Sequence, residues 1–191
     1  MKSGRAEAIV IGASAGALEA LSVILPPLPA SYALPLMIVV HVPHGKKSLL
    51  AEIFQAKCAI EVHEAEDKEP LRSGTAYFAT PDYHMLVETD KSLALSNDEP
   101  VLYSRPSIDV LFESAADAYG PGLVAIVLTG ANDDGANGLK SVAEAGGLAI
   151  VQNPVGAHAC QMPEAAIRAC PGARVLSLEE IAFFLLNLEK A

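Results

Sequence analysis

Runs of consecutive apolar residues alternate along most of the chain with stretches of helical periodicity. The apolar runs predict buried strands at residues 7–11, 36–42, 60–64, 123–129 and 148–152. Runs such as Met37-Ile38-Val39-Val40, apolar on both sides, are typical of a parallel sheet covered by helices on both faces. Helical periodicity predicts helices at 17–25, 47–56, 107–119, 136–145, 163–168 and 178–188.

The middle of the chain has a different pattern. Short strands are predicted at 76–79, 84–87 and 92–95, separated by turn-forming residues at 80–83 and 89–91. This spacing predicts an antiparallel meander inserted at a sheet edge. The expected fold is therefore α/β, a doubly wound and mainly parallel sheet with helices on both faces and an inserted meander. We expect one domain over residues 1–191.

Composition narrows the classes of function. The net charge of −10 argues against nucleic acid as a partner and against binding to an anionic membrane. No apolar run reaches the roughly 20 residues that span a bilayer, so membrane insertion is not expected. The three cysteines form no Cys-x-x-Cys pair, which favours reduced thiols and a cytoplasmic location. The histidines lack short ligand spacing, so neither a metal nor another cofactor is expected.

One motif suggests chemistry. Gly12-x-Ser14-x-Gly16 follows the first predicted strand and leads into the first helix. A serine at such a turn can present its hydroxyl as a nucleophile, with backbone N–H groups facing a developing anion. The alternative is a tight corner whose small residues only allow the helix to pack on the strand.

Two other strand ends carry residues that could complete a hydrolase triad. His41 lies at the end of the second strand, and Asp133 and Asp134 follow the strand that ends at Thr129. A hydroxyl, an imidazole and a carboxylate are the groups of a serine hydrolase. Either aspartate could instead cap the next helix, and His41 could bond only to a loop carbonyl.

Two more histidines are candidates for the same edge of the sheet. His84 opens a meander strand, where it is either structural or part of the pocket lining. His158 follows another predicted strand and could line the site.

The chain resembles the catalytic domain of CheB-type chemotaxis methylesterases over nearly its whole length. Six segments in the same order carry the resemblance: Ile11–Gly16, Val40–Pro43, Gly74–Ala79 with Pro81 and His84-Met85, Arg105–Phe112, Val127–Gly130 with Asp134-Gly135-Ala136, and Met162–Ala166.

The resemblance implies a Ser-His-Asp hydrolase that removes methyl groups from glutamate methyl esters in the cytoplasmic region of chemoreceptors, and that can deamidate receptor glutamines. By position, Ser14 is the nucleophile, His41 the base and Asp134 the orienting acid. Two further pairs are implied: the backbone N–H groups of Ala15 and Ala131 form the oxyanion hole, and the side chains of Met162 and His84 line the pocket. A separate regulatory response protein is an expected partner.

The chain departs from the family pattern in three ways. Ser14-Ala15-Gly16-Ala17 stands for Ser-Thr-Gly-Gly, and Gly130-Ala131-Asn132 stands for Gly-Met-Gly. Both changes keep the backbone donors, so the chemistry remains expected, while substrate fit is left open. The first strand begins by residue 7, which leaves no room for an N-terminal receiver domain. We therefore expect no phosphorylation-dependent release of self-inhibition within this chain.

Two other functions fit the same residues. One is a serine esterase or amidase that acts on other small or protein substrates. The other is a phosphate- or nucleotide-binding module built on Gly12–Gly16, which the absence of Gly-x-Gly-x-x-Gly and of a P-loop lysine disfavours.

Overall fold

A seven-stranded sheet lies at the centre of the protein, whose computed structural model describes residues 6–42 and 48–188. Its seven strands are β1 (Ala8–Ala13), β2 (Leu36–Val40), β3 (Glu61–Glu64), β4 (Thr75–Phe78), β7 (Leu123–Val127), β8 (Leu148–Gln152) and β9 (Arg174–Leu176). The two strands between β4 and β7 in the chain form a second sheet, described below. They are ordered β3-β4-β2-β1-β7-β8-β9, and every neighbouring pair is parallel.

Helices cover both faces of this sheet. They are α1 (Ala17–Ile24), α2 (Leu50–Gln55), α3 (Ile108–Tyr119), α4 (Ala136–Glu144), α5 (Gln161–Ala169) and α6 (Leu178–Leu188). The apolar residues of α1, α2 and α6 pack on one face, and those of α3, α4 and α5 pack on the other. Within the described ranges, no helix is long and apolar enough to cross a membrane.

The alternation of side chains along β1 and β2 decides which face each residue meets. Ile9 and Ile11 contribute to the core under α1, whereas Val10 contributes to the core under α3. On β2, Ile38 and Val39 divide between the same two cores. This period of two explains why both strands are apolar without interruption.

The meander prediction was right for two strands and wrong for one. β5 (His84–Val87) and β6 (Leu93–Ser96) form a separate antiparallel pair. β4, predicted as the first meander strand, lies in the main sheet between β3 and β2. Its burial explains the difference, because all four of its residues are covered on both sides.

The remaining boundaries agree with the predictions to within a few residues, apart from two elements. The short edge strand β9 was not predicted. Helix α2 was predicted to begin at Lys47, which lies outside the described residues, and it is observed from Leu50. The strand order reverses beside β1, so the carboxyl ends of β1, β2 and β7 converge at the place where open α/β sheets bind ligands.

Candidate active site

The backbone of the sheet places Ser14 and His41 side by side. β1 and β2 pair through Ala13 and Val40, and the next residue on each strand is Ser14 and His41. The N–H of His41 donates to the carbonyl oxygen of Ala13 at 3.1 Å, so the pairing continues past the strand end. Ala13 and Val40 belong to the core under α1, so by the alternation of side chains the next residue on each strand points to the α3 face of the sheet.

Asp134 is the buried anion of this site. Its side chain is fully shielded from solvent, and its Oδ2 lies 2.8 Å from His41 Nε2. Four further donors lie 2.7–3.0 Å from its two carboxylate oxygens: the hydroxyl of Ser107 and the backbone N–H groups of Ile108, Asp109 and Gly135.

This environment keeps Asp134 ionised. Burial disfavours the charged form, but the hydrogen bond from His41 and the N–H groups of Asp109 and Ile108 outweigh it and hold the pKa of Asp134 below its ordinary value. The N–H groups belong to the first turn of α3, where the helix dipole favours an anion. Asp134 therefore meets His41 as a carboxylate.

Asn132 fixes the protonation pattern of the His41 ring. Its side-chain Oδ1 accepts the backbone N–H of Asp134 at 3.1 Å, which turns Nδ2 toward His41 Nδ1, 3.1 Å away. An amide nitrogen only donates, so Nδ1 of His41 must accept this hydrogen bond. Nε2 must then carry the ring proton and donate a hydrogen bond to the Asp134 carboxylate. The hydrogen-bond network thus assigns this tautomer, with the lone pair on Nδ1.

Two glycines let α3 approach the strand ends. A Cβ on Gly12 would lie 2.3 Å from Ile108 Cγ2, and one on Gly135 would lie 2.7 Å from the same atom. Gly135 also has a φ of +92°, which disfavours other residues. These contacts bring the N–H of Ile108 to Asp134, so the glycines are needed for the position of the carboxylate.

The turn around Ser14 leaves donors available. In residues 6–42 and 48–188, no hydrogen bond uses the backbone N–H of Ala15 or Ala131, and both residues are exposed. The Ser14 hydroxyl likewise has no hydrogen bond there, including none to His41. Gly16, at a φ of +84°, packs against His158, so the histidine predicted near the site borders this turn.

The other predicted site residues take different positions. Asp133 is exposed, and its Oδ1 accepts a hydrogen bond from Gln161 Nε2 at 3.3 Å; of the two aspartates, it is Asp134 that reaches His41. Met162 is 1% exposed, with its thioether against Gly130.

His84 is 2% exposed and bonded through both ring nitrogens: Nδ1 accepts the N–H of Ser107, and Nε2 contacts the carbonyl oxygen of Glu99. In the structure, His84 supports the start of α3 and Met162 supports the loop after β7. The pocket-lining role of both remains a prediction.

Two residues of the site were missed as functional in the sequence. Ser107 was predicted only as the N-cap of α3, yet its hydroxyl also binds Asp134. Asn132 was noted only as a departure from a family motif. For Ser107, the N-cap hydroxyl itself is a signal, because it lies at a helix end that attracts anions. For Asn132 the spacing carried no signal.

Two cavities open beside these groups. One, of about 330 Å³, is bordered by Ser14 together with residues of α1 and α2. The other, of about 430 Å³, is bordered by His41 and Val42 after β2 and by the segment before α3: Glu99, Pro100, Tyr103, Ser104, Arg105 and Pro106. Ser14 and His41 are therefore open to a ligand from both sides of the β2 end.

Known proteins are similar to this chain in sequence and in fold. The family model described as CheB methylesterase matches residues 9–185. A Leptospira interrogans protein, whose name carries the activities protein-glutamate methylesterase and protein-glutamine glutaminase, is 47% identical over 184 residues, with 96% of this chain and 95% of that protein covered.

A Rhodospirillum rubrum protein-glutamate methylesterase/protein-glutamine glutaminase is 36% identical over 96% of this chain, which spans 49% of that protein's length. The crystal structure of the Thermotoga maritima CheB methylesterase catalytic domain superimposes with a TM-score of 0.90 and 30% identity, covering 96% of this chain and 98% of that one. The chain belongs to the CheB methylesterase family.

Proposed function

We propose that this protein is a serine hydrolase that removes methyl groups from glutamate methyl esters of chemoreceptors. The observation that carries the proposal is the 2.8 Å contact between His41 Nε2 and the buried Asp134. His41 follows β2, the strand that pairs with the one leading to Ser14. An ionised carboxylate bound to one ring nitrogen leaves the other as a base, which is the arrangement of serine hydrolases. The names of the relatives add the substrate class.

In the proposed mechanism, Ser14 attacks the carbonyl carbon of the side-chain ester. Its proton passes to Nδ1 of His41, the nitrogen not bonded to Asp134, and Asp134 stabilises the imidazolium. The N–H groups of Ala15 and Ala131, free of other acceptors in the described residues, bind the oxyanion.

The intermediate then collapses. His41 returns the proton to the leaving oxygen, methanol departs and the glutamyl group stays on Ser14 Oγ. Water attacks this acyl-serine with His41 again as base, which releases the glutamate carboxylate and restores the serine. With a glutamine substrate, the same steps release ammonia instead of methanol.

The test is methanol release from a methylated receptor fragment. Ser14→Ala should lower turnover by several orders of magnitude, as loss of a triad nucleophile does. Its thermal unfolding should stay unchanged, because the hydroxyl has no hydrogen bond in the described structure to lose. Ser73→Ala, at an exposed position before β4, is the matched control. A Ser14→Ala protein that keeps most of its activity would refute the proposal.

Replacing the receptor fragment with a panel of small esters separates the two hydrolase functions. Faster hydrolysis of small esters than of the receptor fragment would favour the alternative of a general serine esterase. Comparable loss of both reactions in Ser14→Ala would still assign the nucleophile.

A further inference from the structure

Arg105 places a positive charge at the wall of the cavity that His41 also borders. It precedes Pro106 and Ser107, and the Ser107 hydroxyl holds Asp134. The guanidinium therefore belongs to the same stretch of chain that positions the catalytic carboxylate. The proposed mechanism does not use it.

The hydrogen bonds of Arg105 hold it in place but leave it without an anion. Its Nη1 donates to the carbonyl oxygens of Asn97 at 2.8 Å and Asp98 at 2.9 Å. Its Nε is buried and has no hydrogen-bond partner. Among the described residues no carboxylate lies within ion-pair distance of this guanidinium. A guanidinium has five N–H donors, so most of its capacity remains unused.

Arg105 is a local cation in an acidic protein. The net charge is −10, and Glu99 borders the same cavity without pairing with Arg105. Its Nη2 makes no hydrogen bond among the described residues, and a guanidinium N–H forms a short, charge-assisted hydrogen bond with a carboxylate. The overall negative field repels acidic ligands, so a local cation is needed to seat one next to His41.

We propose that Arg105 forms a subsite for a carboxylate side chain that flanks the reacting ester on the substrate protein. The subsite rests on the proposed function, because it names the sequence context of the ester that Ser14 attacks. It makes Arg105 a specificity residue: the carboxylate binds to the guanidinium and so holds the neighbouring ester beside His41.

The test uses two peptides that each contain one glutamate γ-methyl ester, flanked by glutamates in one and by glutamines in the other. Fluorescence anisotropy measures their binding to the Ser14→Ala protein, in which turnover does not interfere. Separate values of kcat and KM for each peptide are measured with Ser14 present. The variants are Arg105→Gln and Arg105→Lys, with Arg174→Gln on the distant edge strand β9 as the matched control.

With Arg105 present, the acidic peptide should bind about fivefold more tightly than the neutral one, as one partly shielded charge pair allows. Arg105→Gln should remove this preference and leave binding of the neutral peptide unchanged. Arg105→Lys should keep part of it, and Arg174→Gln all of it. KM should carry the effect while kcat stays constant.

Three results would overturn the subsite. One is an acidic preference that survives Arg105→Gln. Another is an equal loss on both peptides, which would mean that Arg105 only holds the loop at Asn97. The third concerns the hydrolysed neutral peptide, which carries the product glutamate and is included as a further probe. If it binds more tightly than its ester and Arg105→Gln removes the difference, the product carboxylate occupies the subsite instead. Preferential binding of the acidic peptide without any hydrolysis by the Ser14 protein would support the subsite and contradict the proposed function alone.

Discussion

The side-chain amide of Asn132 lies 3.1 Å from Nδ1 of His41, the ring nitrogen that Asp134 leaves free. In the proposed mechanism the Ser14 hydroxyl needs the same lone pair. The amide and the serine therefore compete for one acceptor.

Replacing Asn132 with alanine should speed the reaction of Ser14. A neutral hydrogen bond contributes about 0.5–1.5 kcal/mol, so freeing the nitrogen should raise the rate of fluorophosphonate labelling by about 2- to 10-fold. Asp133→Ala is the control, since the Asp133 side chain contacts Gln161 and not His41. Slower labelling of Asn132→Ala would show that the amide supports the ring instead of competing with Ser14.

Asp134→Asn should abolish most activity. An amide nitrogen placed toward His41 Nε2 would force the ring proton onto Nδ1, where it blocks acceptance of the serine proton. Comparable substitutions in serine hydrolases cost about 10⁴ in kcat. Steady-state hydrolysis of a methyl ester measures this, and a loss below tenfold would contradict the orienting role.

Acid should destabilise the protein through the same carboxylate. The folded state holds the pKa of Asp134 below the ordinary 3.8, so its ionised form stabilises the fold at pH values above 3.8. This contribution is lost as the pH falls through the lowered pKa. Thermal unfolding between pH 6 and pH 3 should therefore show a steeper decline for the wild type than for Asp134→Asn, which starts from lower stability. Parallel curves would contradict this account.

Asp109→Asn should stabilise the protein at neutral pH. Burial raises the pKa of Asp109. The hydrogen bond from the N–H of Gly138 lowers this pKa in part, and the nearby Asp134 carboxylate raises it further. A raised pKa means that the ionised form costs stability, and the cost sets in as pH rises from 3.8 through the folded pKa. An amide can keep the bond from Gly138 without that charge. The melting temperature at pH 7 should rise, and the difference should vanish in acid; a lower melting temperature at pH 7 would refute it.

Gly12→Ala should destabilise the fold by about 1–3 kcal/mol, the usual cost of an overpacked core contact. The new Cβ would lie 2.3 Å from Ile108 Cγ2 and push the start of α3 away from Asp134, so activity should fall as well. Gly172→Ala, where nothing lies within 4 Å, is the control for denaturant unfolding. Ile108→Ala in the Gly12→Ala background should restore part of the stability, and failure to do so would place the strain elsewhere.

The element pattern was readable from the sequence because local physics fixes it. Uninterrupted apolar runs require burial on both faces, and caps such as Ser107 mark helix starts. β4 was misplaced because a four-residue strand looks the same in a meander as in a central sheet. Only its parallel neighbours, β3 and β2, distinguish the two.

The sequence by itself determined the strand ends that carry Ser14, His41 and Asp134, since parallel strands gather their carboxyl ends at one edge. Between Asp133 and Asp134 the residues themselves left the choice open, and the family resemblance pointed to Asp134. The tertiary structure shows that Asp134 lies against His41, and it alone reveals that Asn132 contacts the other ring nitrogen and that Arg105 borders the same cavity. These are contacts between residues up to 93 positions apart. Such contacts depend on how α3 packs over Gly12, and no local pattern encodes that packing.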